Sequence, residues 1–140
     1  MAAVPERAVE ELLARVSDAV ADVPAPRLAL LSAGTFPDPI AARVLWAGVA
    51  GDDLEPLARR VRSAANRAGA APDGGALHPH VTLARFPRPS EATRWVRALE
   101  PYAGPAWTAD EVTLIASHLG ESRGRRPRYE ELATASLRHP

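Results

Sequence analysis

The chain holds four histidines, His78, His80, His118 and His139. Of these, only His80 has a hydroxyl residue two positions on, in the run His80-Val81-Thr82-Leu83. In a strand, residues two apart point to the same face. His80 and Thr82 therefore share one face, and Val81 and Leu83 share the other. The apolar pair is expected in the core, and the polar pair in a cleft or in solvent. An imidazole titrates near neutral pH and can take or give a proton. A neighbouring hydroxyl can donate a hydrogen bond to a non-bridging phosphate oxygen. Together they suit phosphodiester chemistry, in which one group activates water and another protonates the leaving oxygen. The same tetrapeptide also fits a strand histidine that only satisfies a hydrogen bond.

Composition narrows the other possibilities. There is no Cys, which excludes disulfides, thiolate nucleophiles and Cys-based zinc sites, and fits a cytoplasmic setting. The 17 basic and 17 acidic residues balance to a formal net charge of zero. No global field draws such a chain onto long nucleic acid or an anionic membrane, so a bound anion must be held by a local cluster. All the basic residues are Arg, a type suited to bidentate phosphate contacts. No stretch approaches the ~20 apolar residues of a membrane span, and the start lacks a signal-peptide pattern.

The elements that must position His80 follow from periodicity. The 140 residues are expected to form one domain over 1–140 with a real core. Pro5 suits a first helical turn, and Val9, Leu12, Leu13, Val16 and Val20 continue the helix to about Ala21. Leu28 to Ala33 reads as a buried strand, Gly34 to Pro39 as a turn, and Val44 to Val49 as a second strand. Asp52 or Asp53 caps a helix with Leu54, Leu57, Val61 and Ala65 on its apolar face, ended by Gly69. After a loop from Ala70 to Ala76, His80 to Arg85 is a strand that Pro87 and Pro89 break. Ser90 can cap a short helix carrying Trp95, Val96 and Leu99. Val112 to Ser117 and Tyr129 to Leu137 are strands, joined by an Arg-rich loop from Gly120 to Pro127. This mixed order predicts an α+β fold.

The stretch Leu77-His78-Pro79-His80-Val81-Thr82-Leu83-Ala84-Arg85 closely resembles the second motif of 2H phosphoesterases. Within that superfamily it is similar to the RNA 2′,3′-cyclic phosphodiesterases, also called 2′-5′ RNA ligases. Gly34-Thr35-Phe36-Pro37 with Arg43-Val44-Leu45-Trp46 resembles a strand pair of the family. Val112-Thr113-Leu114 with Ser117-His118-Leu119, and then Tyr129, resembles its closing strands. The resemblance runs from about Pro5 to Leu137. It implies a two-lobed fold and metal-free opening of RNA 2′,3′-cyclic phosphate ends, or of small 2′,3′-cyclic nucleotides, to 2′-phosphates. No cofactor is expected. His80 would act as general acid or base, Thr82 would bind the phosphate, and Arg85 would help hold the phosphate or RNA end. By strict alternation, however, Arg85 lies opposite His80, where it would only tie down a strand end.

The family carries two His-x-Thr/Ser motifs, and this sequence carries one. The expectation is therefore a fold whose N-terminal strands are missing, a native protein that is longer, and a Met1 that is internal. This chain would be weakly active or inactive, and an open sheet edge would favour self-association. The alternative is a non-catalytic remnant or fragment that binds RNA ends. Arg123, Arg125, Arg126 and Arg128 form either a solvated loop or a cradle for an RNA end. A His78/His80/His118 metal site is a weaker alternative. Trp46, Trp95 and Trp107 are expected in packing, with base stacking open to one of them.

Overall fold

Leu12, Val16 and Val20 recur at helical spacing, and they are the buried residues of the first helix. The computed structural model describes residues 8–70, 75–118 and 128–139. The expected helix start at Pro5, and Arg123, Arg125 and Arg126, lie outside the described residues. In chain order the elements are α1 (Val9–Val20), β1 (Arg27–Phe36), β2 (Ala42–Gly51), α2 (Glu55–Arg67), β3 (His80–Ser90), α3 (Thr93–Leu99), β4 (Trp107–Thr108), β5 (Glu111–His118) and β6 (Arg128–Ser136). The expected α+β class holds, and the chain divides into two compact units.

The first unit contains α1, α2, β5 and β6. Helix α1 packs on α2 and on β6. Leu12, Val16 and Val20 meet Ala64 and Ala68, with Ala135 and Leu137 completing the buried cluster. Gly69 takes φ +83° after α2 and donates its N–H to the Asn66 carbonyl at 3.1 Å, ending the helix as expected. Strands β5 and β6 form an antiparallel pair, with one irregularity between Leu114 and Ile115.

The second unit contains β1 to β4 and α3. Its sheet has the order β3-β2-β1-β4, with every neighbour antiparallel. Strand β1 runs through the expected turn at Gly34 as far as Phe36. It bulges between Leu30 and Ala33, and Ser32 there adopts φ 63°, a left-handed conformation uncommon for a residue with a side chain. Ser32 donates its N–H to Tyr102 O, and Gly104 donates its N–H to Leu30 O, so the bulge is held by the chain after α3.

Two expectations about β3 are corrected. Pro87 and Pro89 do not end the strand, which continues to Ser90 and pairs there with Ala42. The strand lies at the edge of its sheet, where a residue lacking an N–H costs no ladder bond, and the register slips across the prolines. Ser90 does not cap α3 either. Its hydroxyl donates to Arg88 O at 2.8 Å, and the Glu91 carboxylate accepts the Thr93 N–H at 2.9 Å instead.

Candidate active site

The site is built on one face of β3 and its neighbour β2. Their register pairs Gly48 with His80, Ala47 with Val81, Trp46 with Thr82, Leu45 with Ala84 and Val44 with Arg85. Directly paired residues in an antiparallel ladder share a face. His80 and Thr82 therefore lie with Gly48 and Trp46, as the period-two reading expects. Between Trp46 and Leu45 the ladder skips Leu83, which has no partner on β2. That one-residue bulge shifts the alternation. Arg85 thereby lands opposite Val44, on the face of His80 and Thr82, and the expectation from strict alternation is corrected.

Val81 and Leu83 are not buried as expected. They are 43% and 50% exposed. The helix of this unit, α3, packs on β1 rather than on edge strand β3. The bulge also takes Leu83 out of the regular ladder. Further into the sheet the same apolar face is buried, at Leu28, Thr35, Leu45 and Ala47.

Around His80 the polar face carries a cluster of rings. Phe36 on β1 pairs with Val44, and its ring meets that of Trp46 at 5.4 Å. The His80 ring stands edge-on to Phe36 at 5.0 Å and 89°. The His78 ring stands edge-on to Trp46 at 4.5 Å and to Phe36 at 5.3 Å. His80 is exposed, so a molecule in solution can reach it. Its Nδ1 lies 2.6 Å from the main-chain carbonyl of His78. A carbonyl only accepts, so Nδ1 carries a proton and Nε2 is left to exchange one. This bond orients the ring as well as choosing its tautomer.

Sequence reasoning singled out His80, Thr82 and Arg85, expected Trp46 in packing with base stacking open to one tryptophan, and placed Phe36 only in the family's strand pair. A signal was present. Glycine inside a strand often marks a close approach, and Gly34 is the cross-strand partner of Trp46. The other tryptophans lie at the surface, and Arg94 stacks on Trp95 at 4.6 Å. His118 belongs to the first unit, where its Nε2 lies 3.0 Å from Glu130 Oε2. Among the described residues no three His, Asp or Glu side chains converge to hold a metal, so the three-histidine metal site does not form.

Comparison with known proteins agrees with this fold. The family model described as the 2′-5′ RNA ligase superfamily matches residues 1–121. An RNA 2′,3′-cyclic phosphodiesterase of Aeropyrum pernix is 42% identical over 64 residues, which are 43% of this chain and 35% of that protein. The match thus spans about a third of that relative's length. The crystal structure of TT0787 of Thermus thermophilus superposes with TM-score 0.76 at 26% identity, covering 98% of this chain and 74% of that one. Escherichia coli LigT complexed with 3′-AMP gives TM-score 0.67 at 28% identity, covering 96% and 71%. LigT complexed with NADP+ gives 0.63 at 27% identity, covering 96% and 70%.

Proposed function

We propose that this chain, which belongs to the 2′-5′ RNA ligase superfamily, handles 2′,3′-cyclic phosphates at RNA ends, or in small nucleotides, through His80, Thr82 and Arg85. The observation that carries this reading is the bulge at Leu83, which gathers an imidazole, a hydroxyl and a guanidinium on one face of one strand. Hydrolysis adds water at phosphorus and breaks the bond to the 3′ oxygen, leaving a 2′-phosphate. Water loses a proton and the 3′ oxygen gains one. The free Nε2 of His80 serves either transfer, taking the proton when neutral or giving it when protonated. Thr82 donates its hydroxyl to a non-bridging oxygen, and Arg85 offsets the phosphate charge with its forked donors. The chemistry asks for two acid/base groups and no metal.

The sequence contains one His-x-Thr motif. That observation favours a second reading, in which the face binds RNA ends and turns them over slowly or not at all. The two readings share the site and differ in rate. The first reading implies a role in RNA processing, and the lack of Cys fits a cytoplasmic setting for either. Among the described residues β5 and β6 form a two-stranded sheet, and its edge is where a second chain would add by backbone hydrogen bonding.

The test is chromatographic assay of 2′-AMP formed from 2′,3′-cyclic AMP. A lost acid/base partner lowers rates by about 10²–10⁴. Turnover is expected at least about 10²-fold below that of a relative with two motifs, and His80→Ala removes what remains. Binding of 2′-AMP without turnover selects the second reading. Turnover unchanged in His80→Ala contradicts the first.

A further inference from the structure

Gly34 sits where any side chain would strike an indole. A Cβ added there would overlap Trp46 Cζ2 and lie 2.5 Å from Cη2. The six-membered ring of Trp46 therefore occupies the side-chain space of Gly34. Cζ3 of the ring is 3.7 Å from where a Cβ on Gly48 would lie. Phe36 closes another side at 5.4 Å. The His78 ring meets the indole at 4.5 Å and 67°. His78 is also the residue whose carbonyl accepts the Nδ1 proton of His80, at 2.6 Å. The next carbonyl, Pro79 O, is tied to β2 by the Val49 N–H at 3.2 Å.

These contacts form a chain from a strand glycine to an imidazole. We propose that Trp46 is a positioning residue for His80, acting through His78, and that Gly34 is the space in which it sits. The indole supports the His78 ring and so fixes the direction of the His78 carbonyl. That carbonyl holds the His80 ring with Nδ1 protonated and Nε2 free. The proposal rests on the functional reading above and names what sets the geometry of its proton-transfer group. A purely structural role accounts poorly for the cluster. Phe36 and Trp46 are only half-buried, and His78 and His80 are exposed. The buried residues Leu28, Thr35, Leu45 and Ala47 lie on the other face of the sheet.

The test reads the His80 tautomer directly, by nitrogen NMR of the imidazole. Four proteins are compared: wild type, Gly34→Ala, Trp46→Phe, and the double variant Gly34→Ala/Trp46→Phe. Wild type is expected to hold its proton on Nδ1. Gly34→Ala pushes the indole out of place, and the Nε2–H form gains population. Phenylalanine lacks the ring edge that overlaps the methyl introduced by Gly34→Ala, so the double variant returns toward wild type. Where turnover is measurable, Gly34→Ala lowers kcat by about 10- to 100-fold, the scale for a misplaced group, with KM within about twofold. Amide spectra confirm that each variant is folded. If Gly34→Ala does not fold, Trp46→Ala carries the same reading, because it removes the support without adding bulk. An unchanged tautomer in both would overturn the proposal. So would a double variant no better than Gly34→Ala. Binding of 2′-AMP to wild type separates the two claims. If it binds and the tautomers do not respond, the positioning fails and the site stands. If the tautomers respond and nothing binds, the site reading fails and the positioning stands.

Discussion

Among single residues, the proposed site assigns a different chemistry to each of His80, Thr82 and Arg85. Thr82→Ala removes one neutral hydrogen bond to phosphate, worth about 0.5–1.5 kcal/mol net, so 2′-AMP affinity should fall by about 2- to 13-fold in calorimetry. Arg85→Ala removes charge-assisted donors, worth about 1.5–3 kcal/mol, so the loss should be larger. Equal affinities in Arg85→Ala and wild type would return Arg85 to the role of a strand-end tether. The shared face of His80 and Thr82 was legible because alternation over two residues needs only a strand. The place of Arg85 was not. A one-residue bulge leaves no mark on hydrophobic periodicity, and Leu83 looks like any apolar strand residue. The exposure of Val81 and Leu83 was hidden for a different reason, since alternation assigns faces but does not say what covers them.

Among helices and strands, strong periodicity was read well and punctuation was read too literally. The stripe of Leu12, Val16 and Val20 defined α1, and these residues form its buried face. Leu12→Ala should therefore lower unfolding stability by about 2–5 kcal/mol, measured by urea denaturation, while a loss below about 0.5 kcal/mol would contradict the packing described. Gly34, Pro87 and Pro89 each read as breaks, yet all lie within strands. Gly34 is there because Trp46 occupies its side-chain space, and the prolines because β3 is an edge. Such reasons belong to the neighbouring strand, and local sequence does not contain them. At the start of α3 the hydrogen bonds from Thr93 hold the Glu91 carboxyl below the ordinary carboxylate range. A lowered folded-state pKa stabilises above the unfolded value and is lost as pH falls through the folded one. The Glu91 cap should thus be intact at neutral pH and released in acid. Carbon NMR of its carboxyl would show this, and a midpoint at or above the ordinary value would contradict it.

For the molecule as a whole, the α+β class and the family were legible from element order and from the run His80 to Arg85. The division into two compact units followed only from the family resemblance. The expected self-association has its own check. The weight-average mass in sedimentation equilibrium should rise with concentration, and a monomer at every concentration would contradict edge pairing. If one face of β3 handles the phosphate of a nucleotide 2′,3′-cyclic end, the His80 imidazole must sense a bound nucleotide phosphate. Titrating 2′-AMP into the protein while following that imidazole by NMR reads this without an intermediate step. A saturable shift of the His80 signals is expected, with the apparent affinity weakened by both Thr82→Ala and Arg85→Ala. His80 signals that stay fixed while 2′-AMP binds elsewhere, or an affinity indifferent to both substitutions, would contradict the assignment of the site to this face.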